Sequence, residues 1–111
     1  MRRGDFDPGW LSHRIVIAAS DVAPDGAGGE AVTWQPLATV WALVEPVAGT
    51  ERIVAGRLTG VVTHVVTIRF RGDVTGGMRV LYRGRAYRVL VAYDPDERRR
   101  YLILKTELET P

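Results

Sequence analysis

Short stretches of alternating apolar and polar residues, separated by Gly, Pro and Asp, run through almost the whole chain. That is the pattern of β-strands with one buried face. Met1 to Trp10 is the exception: it shows no period and reads as an N-terminal arm, with Trp10 and Leu11 pinning its end. Arg14 to Ala19 (RIVIAA) predicts a first strand, and the Gly- and Asp-rich stretch Ser20 to Gly29 a flexible hairpin loop. Extended structure resumes from Glu30 to Trp34, and Pro36 interrupts it. Leu37 to Val47 predicts a strand with Val40, Ala42 and Val44 on one face, Trp41 and Leu43 on the other, and Pro46 at its end or edge. Both faces are apolar, so this strand calls for cover on both sides, as from a neighbouring subunit or a helix.

Gly49 to Gly60 is ambiguous: Thr50 can cap a short helix carrying Ile53, Ala55 and Leu58, or the segment is a long mobile loop. Val61 to Phe70 is the strongest strand, with Val62, His64, Val66, Ile68 and Phe70 on one face. Arg71 to Gly77 predicts a turn. Met78 to Arg83 sets Met78, Val80 and Tyr82 against Arg79, Leu81 and Arg83. Gly84 makes a tight hairpin, after which Ala86 to Tyr93 places Tyr87, Val89, Val91 and Tyr93 on one face. Asp94 to Glu97 is a polar turn before the last strand, Arg98 to Glu107. The expectation is an all-β fold: a small six- to seven-stranded β-barrel or sandwich with a long loop or short helix insertion. Closing as a barrel removes exposed edges.

Length and composition fit one domain over residues 1–111, with the arm at 1–10 and the insertion at 47–60. The absence of cysteine removes disulfides, thiolate metal sites and cysteine nucleophiles together. No apolar run approaches the roughly 20 residues that span a bilayer, and Arg2 and Arg3 lead into Asp5, Phe6, Asp7 and Pro8 rather than an apolar signal region. The chain reads as soluble and unexported, with no membrane partner. Net charge is +2, too small for a strong nucleic-acid claim, but fourteen of the fifteen cationic residues are Arg and only Lys105 is Lys. Arg suits packed interfaces, through its planar, weakly hydrated fork; a GC-rich genome gives the same bias.

Candidate chemistry is sparse. His13 and His64 have no ligand partner at metal spacing, and His64 lies on an apolar strand face. No nucleophile elbow or Walker loop occurs, and the Gly26, Gly28, Gly29 loop has no following Lys-Ser/Thr or helix. Asp94, Asp96 and Glu97 lack the ligand schedule of a calcium loop and read as a solvated turn. Catalytic, cofactor-binding and metal residues are therefore assigned to none, and the chain is expected not to be an enzyme. Arg69 and Arg71 flank Phe70, Arg83, Arg85 and Arg88 crowd one hairpin, and Arg98, Arg99 and Arg100 form a run. Arg beside aromatics suits an OB-like module binding single-stranded nucleic acid, the alternative function, but Phe70, Tyr82 and Tyr87 fall in the core alternation. A small enzyme is a third reading, which a deep pocket with convergent polar groups would support.

Several segments taken in order carry a resemblance: Leu11 and Arg14-Ile15; a Gly- and Asp-containing loop leading to Trp34; Val40-Trp41-Ala42 through Glu45-Pro46 to Gly49 and Glu51; Thr63-His64; Thr67-Ile68-Arg69-Phe70-Arg71 and Asp73; Met78-Arg79-Val80; Tyr82-x-Gly84-Arg85-x-Tyr87; Asp94; and the closing strand from Arg98 through Leu104. From about Leu11 to Glu107 the chain resembles the phage head–tail joining proteins, also called head-closure, stopper or head–tail adaptor proteins. The Gly-rich expansion at Asp25 to Gly29 departs from their pattern in a loop only. The resemblance implies a homo-oligomeric ring between the portal or adaptor and the tail terminator or tail tube, in the neck of a phage or phage-like gene transfer agent. It implies assembly in the bacterial host cytoplasm. Double-stranded DNA would pass through the ring without sequence-specific binding.

In such proteins the loop after the Trp-containing strand projects towards the channel. By position that loop is Val47 to Gly60, with Val47, Gly49, Thr50, Glu51, Arg52, Ile53, Arg57 and Gly60 as channel or ring-contact residues. Glu51 against Arg52 and Arg57 leaves it only mildly positive, as suits a wall past which phosphates must slide. Arg69, Arg71, Arg79, Arg98, Arg99 and Arg100 are candidate interface residues, through charge-assisted pairing with carboxylates of a neighbour.

Overall fold

The computed structural model describes residues 6–109; Met1 to Asp5 of the arm and the last two residues lie outside it. A single 3₁₀ turn, Pro8–Trp10, precedes eight strands: β1 (His13–Pro24), β2 (Glu30–Pro46), β3 (Arg52–Ala55), β4 (Leu58–Val61), β5 (His64–Arg69), β6 (Arg79–Tyr82), β7 (Arg85–Tyr93) and β8 (Tyr101–Leu108). The fold is all-β, as the alternation predicts. Among the described residues no helix is long and apolar enough to cross a membrane.

Six strands pair antiparallel in the order β1-β2-β5-β8-β7-β6, and β6 returns to β1 to close a barrel. The seam is short, only Val16↔Leu81, Ile17↔Val80 and Ala18↔Arg79. Inward residues line up in rows across the strands. Ala42, Ile68 and Leu102 make one row, Val44, Val66, Leu104 and Ala92 a second, and Ile17, Val80, Tyr87 and Leu108 a third. These rows make most of the core: Ile17, Ala42, Val66, Ile68, Val80 and Leu104 are fully buried, as is Val89, which pairs with Thr106. Each of these Val, Ile and Leu side chains contributes about 1.5–3 kcal/mol by leaving water. Phe70 and Tyr82 pack against this cluster and Tyr87 belongs to it, as the sequence predicts. Arg83 (φ 52°) and Gly84 (φ 74°) make the tight β6–β7 turn, the two left-handed residues that a two-residue hairpin needs.

Four expectations change. First, Ser20 to Gly29 is not all loop. β1 and β2 stay paired out to Pro24↔Glu30, and the turn shrinks to the residues between them. There the Asp25 carboxylate accepts from the Ala27 and Gly29 amides at 2.8 and 3.0 Å. Those two bonds hold its pKa below the usual carboxylate value. Second, Pro36 does not break β2. The register slips between Ile17 and Ala18, and β5 pairs with β2 only from Ala42 onward, so Pro36 sits on an edge where no amide is required.

Third, the 49–60 segment is neither helix nor irregular loop. β3 and β4 form a separate two-stranded hairpin, turned by Gly56 at φ 61° and Arg57. β-branched Ile53, Val54, Thr59 and Val61 favour strands over a helix. The hairpin takes the front of the long Val61 to Phe70 strand, which divides at Val62–Thr63. Fourth, the alternation of β7 shifts at a bulge between Val89 and Val91. Beyond it Ala92 packs against the core, Tyr93 is exposed, and Leu90, 1% exposed, is buried outside the main cluster. A bulge inserts one residue and reverses the facing of those that follow.

Candidate functional site

The β3–β4 hairpin lies against β7 and β8, on the outside of the barrel. Gly60 permits the close approach: a Cβ there would meet Glu107 Oε1 at 2.7 Å and Leu90 Cδ2 at 2.8 Å. The Val61 amide donates to Glu107 Oε2 at 3.1 Å, and Arg88 bridges Glu107 Oε1 and the Thr59 carbonyl, both at 2.9 Å. Lys105 Nζ donates to both Glu51 oxygens at 3.0 and 2.9 Å, a contact that raises the lysine pKa above its ordinary value. The backbone bonds Val47 N–H to Thr63 O and Val62 N–H to Glu51 O fix the base.

Of the sequence-assigned loop residues, Glu51 and Gly60 are thus anchors and Ile53 is half-buried. Val47, Gly49, Thr50, Arg52 and Arg57 are exposed. Val54, which the sequence did not single out, is the most exposed large apolar residue described, at 70%.

Glu107→Ala is expected to accelerate hydrogen exchange of the Val61 amide by about tenfold or more. Bonds to a charged group are worth about 1.5–3 kcal/mol, and each 1.4 kcal/mol is a factor of ten. Unchanged exchange would show that the carboxylate does not hold the hairpin down.

The six candidate interface arginines do not form one patch. Arg71 pairs with Asp73 at 2.9 Å and Arg79 with Glu109 at 2.6 Å; Arg100 pairs with Asp96. Arg79 also lies over the Trp34 ring at 4.1 Å. Arg98 and Arg99 donate backbone amides to Asp96 and Asp94, so the acidic turn folds the arginine run around itself. Arg69 lies in a shallow outer groove with Trp41, Pro8 and Leu11, beside the arm, whose Phe6 stacks on Tyr101 at 4.5 Å. Arg69, Arg98 and Arg99 have no carboxylate partner among the described residues.

Two further surfaces escaped the sequence reading. One is the barrel mouth, a cavity of about 600 Å³ lined by His13, His64, Tyr82, Arg83, Arg85 and Tyr87. His13 Nδ1 meets Tyr82 Oη at 3.1 Å, and His64 Nδ1 meets Thr63 Oγ1 at 3.0 Å. Burial, then the charge of Arg85, holds the His64 pKa below the ordinary imidazole value, so the ring is neutral at pH 7. Among the described residues no three metal-ligating side chains converge.

The other is the outer half of the β1–β2 pair, a two-stranded ribbon that helps stretch the molecule to 53 Å against 28 and 27 Å. Every residue from Ser20 to Thr33 is exposed. Val22 and Val32 face each other across it, 52% and 56% exposed. The signal for it was present: Asp-Gly-Ala-Gly-Gly between two valine-bearing segments is a turn between strands.

A family model described as phage head completion protein matches residues 6–109. Among solved structures, the chain is similar to protein SF1141 from Shigella flexneri 2a. The identity is 26% and the TM-score 0.72, over 95% of this chain and 98% of that one. It is also similar in fold to a chain from the virion of a native gene transfer agent particle, with 20% identity, a TM-score of 0.65 and coverage of 90% and 96%. No curated protein is similar in sequence.

Proposed function

This chain belongs to the phage head completion protein family, and from that membership we propose that it joins head to tail as a homo-oligomeric ring through which packaged DNA passes. It is a structural component of the virion and not an enzyme. In the proposed arrangement the ring sits in the neck, with the portal or adaptor on its head side and the tail terminator or tail tube on the other. It assembles there in the host cytoplasm. The whole chain acts as one head–tail joining domain.

The observation that carries this reading is the extent of the family match, which takes in all eight strands, the hairpin and the ribbon. The β3–β4 hairpin supports a role for residues 47–60 at the channel or between copies. It is clamped to the barrel through Glu51, Gly60 and Glu107, yet presents Arg52, Val54 and Arg57 outward. Two arginines on so short a hairpin bind phosphate weakly enough for DNA to slide past. Arg69, Arg98 and Arg99 remain available to carboxylates of a neighbour.

Electron microscopy of particles made without this protein tests the reading. Filled heads lacking tails and losing DNA, restored by the intact chain supplied in trans, are the expected result. Normally tailed, DNA-retaining particles in its absence would overturn it.

A further inference from the structure

The charge of this chain is segregated along its length. Between Arg14 and Arg52 stand five carboxylates, Asp21, Asp25, Glu30, Glu45 and Glu51, and no Lys or Arg. From Arg52 onward, Lys and Arg outnumber Asp and Glu by twelve to six. The fold turns this into two oppositely charged protrusions. The β1–β2 ribbon carries Asp21, Asp25 and Glu30; Glu30 shares a face with the exposed Val22–Val32 pair, and Asp21 lies on the other face. The β3–β4 hairpin carries Arg52 and Arg57 around the still more exposed Val54. Neither arginine has a carboxylate partner among the described residues, whereas Arg71, Arg79, Arg88 and Arg100 each have one.

The hairpin, although clamped to β7 and β8, leaves Val54 bare, and the β1–β2 ribbon is incomplete as it stands. An isolated two-stranded ribbon is marginal in water, and its open edges are templates for pairing. Their placement matters as much as their chemistry. In the order β1-β2-β5-β8-β7-β6, β8 is diametrically opposite β1 and β7 opposite β2. The hairpin rests on β7 and β8. Ribbon and hairpin therefore stand on opposite walls of the barrel.

We propose that the acidic β1–β2 ribbon of one copy lies on the basic β3–β4 hairpin of the next, Val22 and Val32 against Val54, with Glu30, on the same ribbon face as the valines, turned towards Arg52 and Arg57. Joining two different surfaces of the same chain, this contact is head-to-tail, and repeated with a closing rotation it makes a ring rather than stopping at a dimer. The opposite charges set the register and reject ribbon-to-ribbon and hairpin-to-hairpin pairing. The proposal rests on the ring reading above and names the surfaces that build it.

The chain has no cysteine, so a Val32→Cys/Val54→Cys double variant confines its cross-links to those two positions. In assembled particles, oxidation is expected to give a ladder of multimers of this chain, while either single variant gives no cross-linked dimer, because like surfaces do not meet. In solution, the Arg52→Glu/Arg57→Glu variant and the Glu30→Arg variant are each expected to self-associate about tenfold more weakly or worse. Mixing the two restores assembly, because each reversed ribbon then meets a reversed hairpin. Asp25 is left intact because it holds the ribbon turn. Tailed particles whose double-cysteine variant gives no ladder, or cross-links to a different protein, would overturn the proposal while leaving the head-to-tail role standing. Tailed particles in the absence of the protein would instead remove the role itself.

Discussion

Leu104→Ala is expected to cost about 2–5 kcal/mol of folding stability, the range for emptying a well-packed leucine site. Leu104 is fully buried on β8, between Val66 of β5 and Ala92 of β7. Both neighbours sit on paired strands of a closed barrel, and neither can move inward to fill the void without distorting two ladders. That rigidity puts the loss in the upper part of the range. Small domains are stable by only about 5–15 kcal/mol, so the variant is expected to unfold at markedly lower urea concentration, with an unchanged slope. Leu81→Ala is the control. Leu81 is on β6, faces outward and is 39% exposed; its truncation is expected to cost less than about 1 kcal/mol. A larger loss at Leu81 than at Leu104 would mean that the inward and outward faces of the barrel have been exchanged.

Most of that barrel was legible because its signal is local. Ile15 and Ile17, Val66 and Ile68, and Leu102 and Leu104 are apolar at every second position, and period-two alternation specifies which face turns inward. The Arg83-Gly84 turn announces itself through glycine, and Phe70, Tyr82 and Tyr87 fall in register with the core. What was not legible depends on partners distant in sequence. Nothing local tells that Gly60 will press on Leu90 and Glu107, so the 49–60 segment admitted a helix or a loop. Pro36 reads as a break because the sequence does not reveal that its amide side would face an edge. The ribbon was missed for a related reason. Its apolar residues, Val22 and Val32, stay exposed, and its length comes from pairing beyond the barrel, where a turn signal is present but no core pattern marks how far the strands run. The candidate site divides the same way: the 47–60 segment was placed by family resemblance, its strand structure and its Glu51, Glu107 and Leu90 anchors by the fold, and the charge partition, present in the sequence, becomes two separate surfaces only when the strands stand on opposite walls.

The β7 bulge gives the sharpest test of where alternation fails. Read by period two, Val89 and Val91 point inward and Leu90 outward, so Val91→Ala should be the damaging change. The structure reverses this: Leu90 is 1% exposed, while Val91 is only half-buried, paired with Lys105 on the outer face. Leu90→Ala is therefore expected to cost about 2–5 kcal/mol and Val91→Ala less than about 1 kcal/mol. The character of the loss should differ from that at Leu104 as well. Leu90 lies outside the central cluster, beneath Gly60 and with its carbonyl 2.9 Å from where a Cβ on Gly76 would stand. Its removal unseats the hairpin before it opens the barrel. Amide protection in β3 and β4 is expected to fall first, with β5 and β8 keeping theirs until global unfolding. Since the hairpin is also the proposed contact between copies, Leu90→Ala should weaken self-association at concentrations where the barrel remains folded. A variant that loses β5 and β8 protection together with the hairpin would show that Leu90 belongs to the main core and that the hairpin is not an independently released unit.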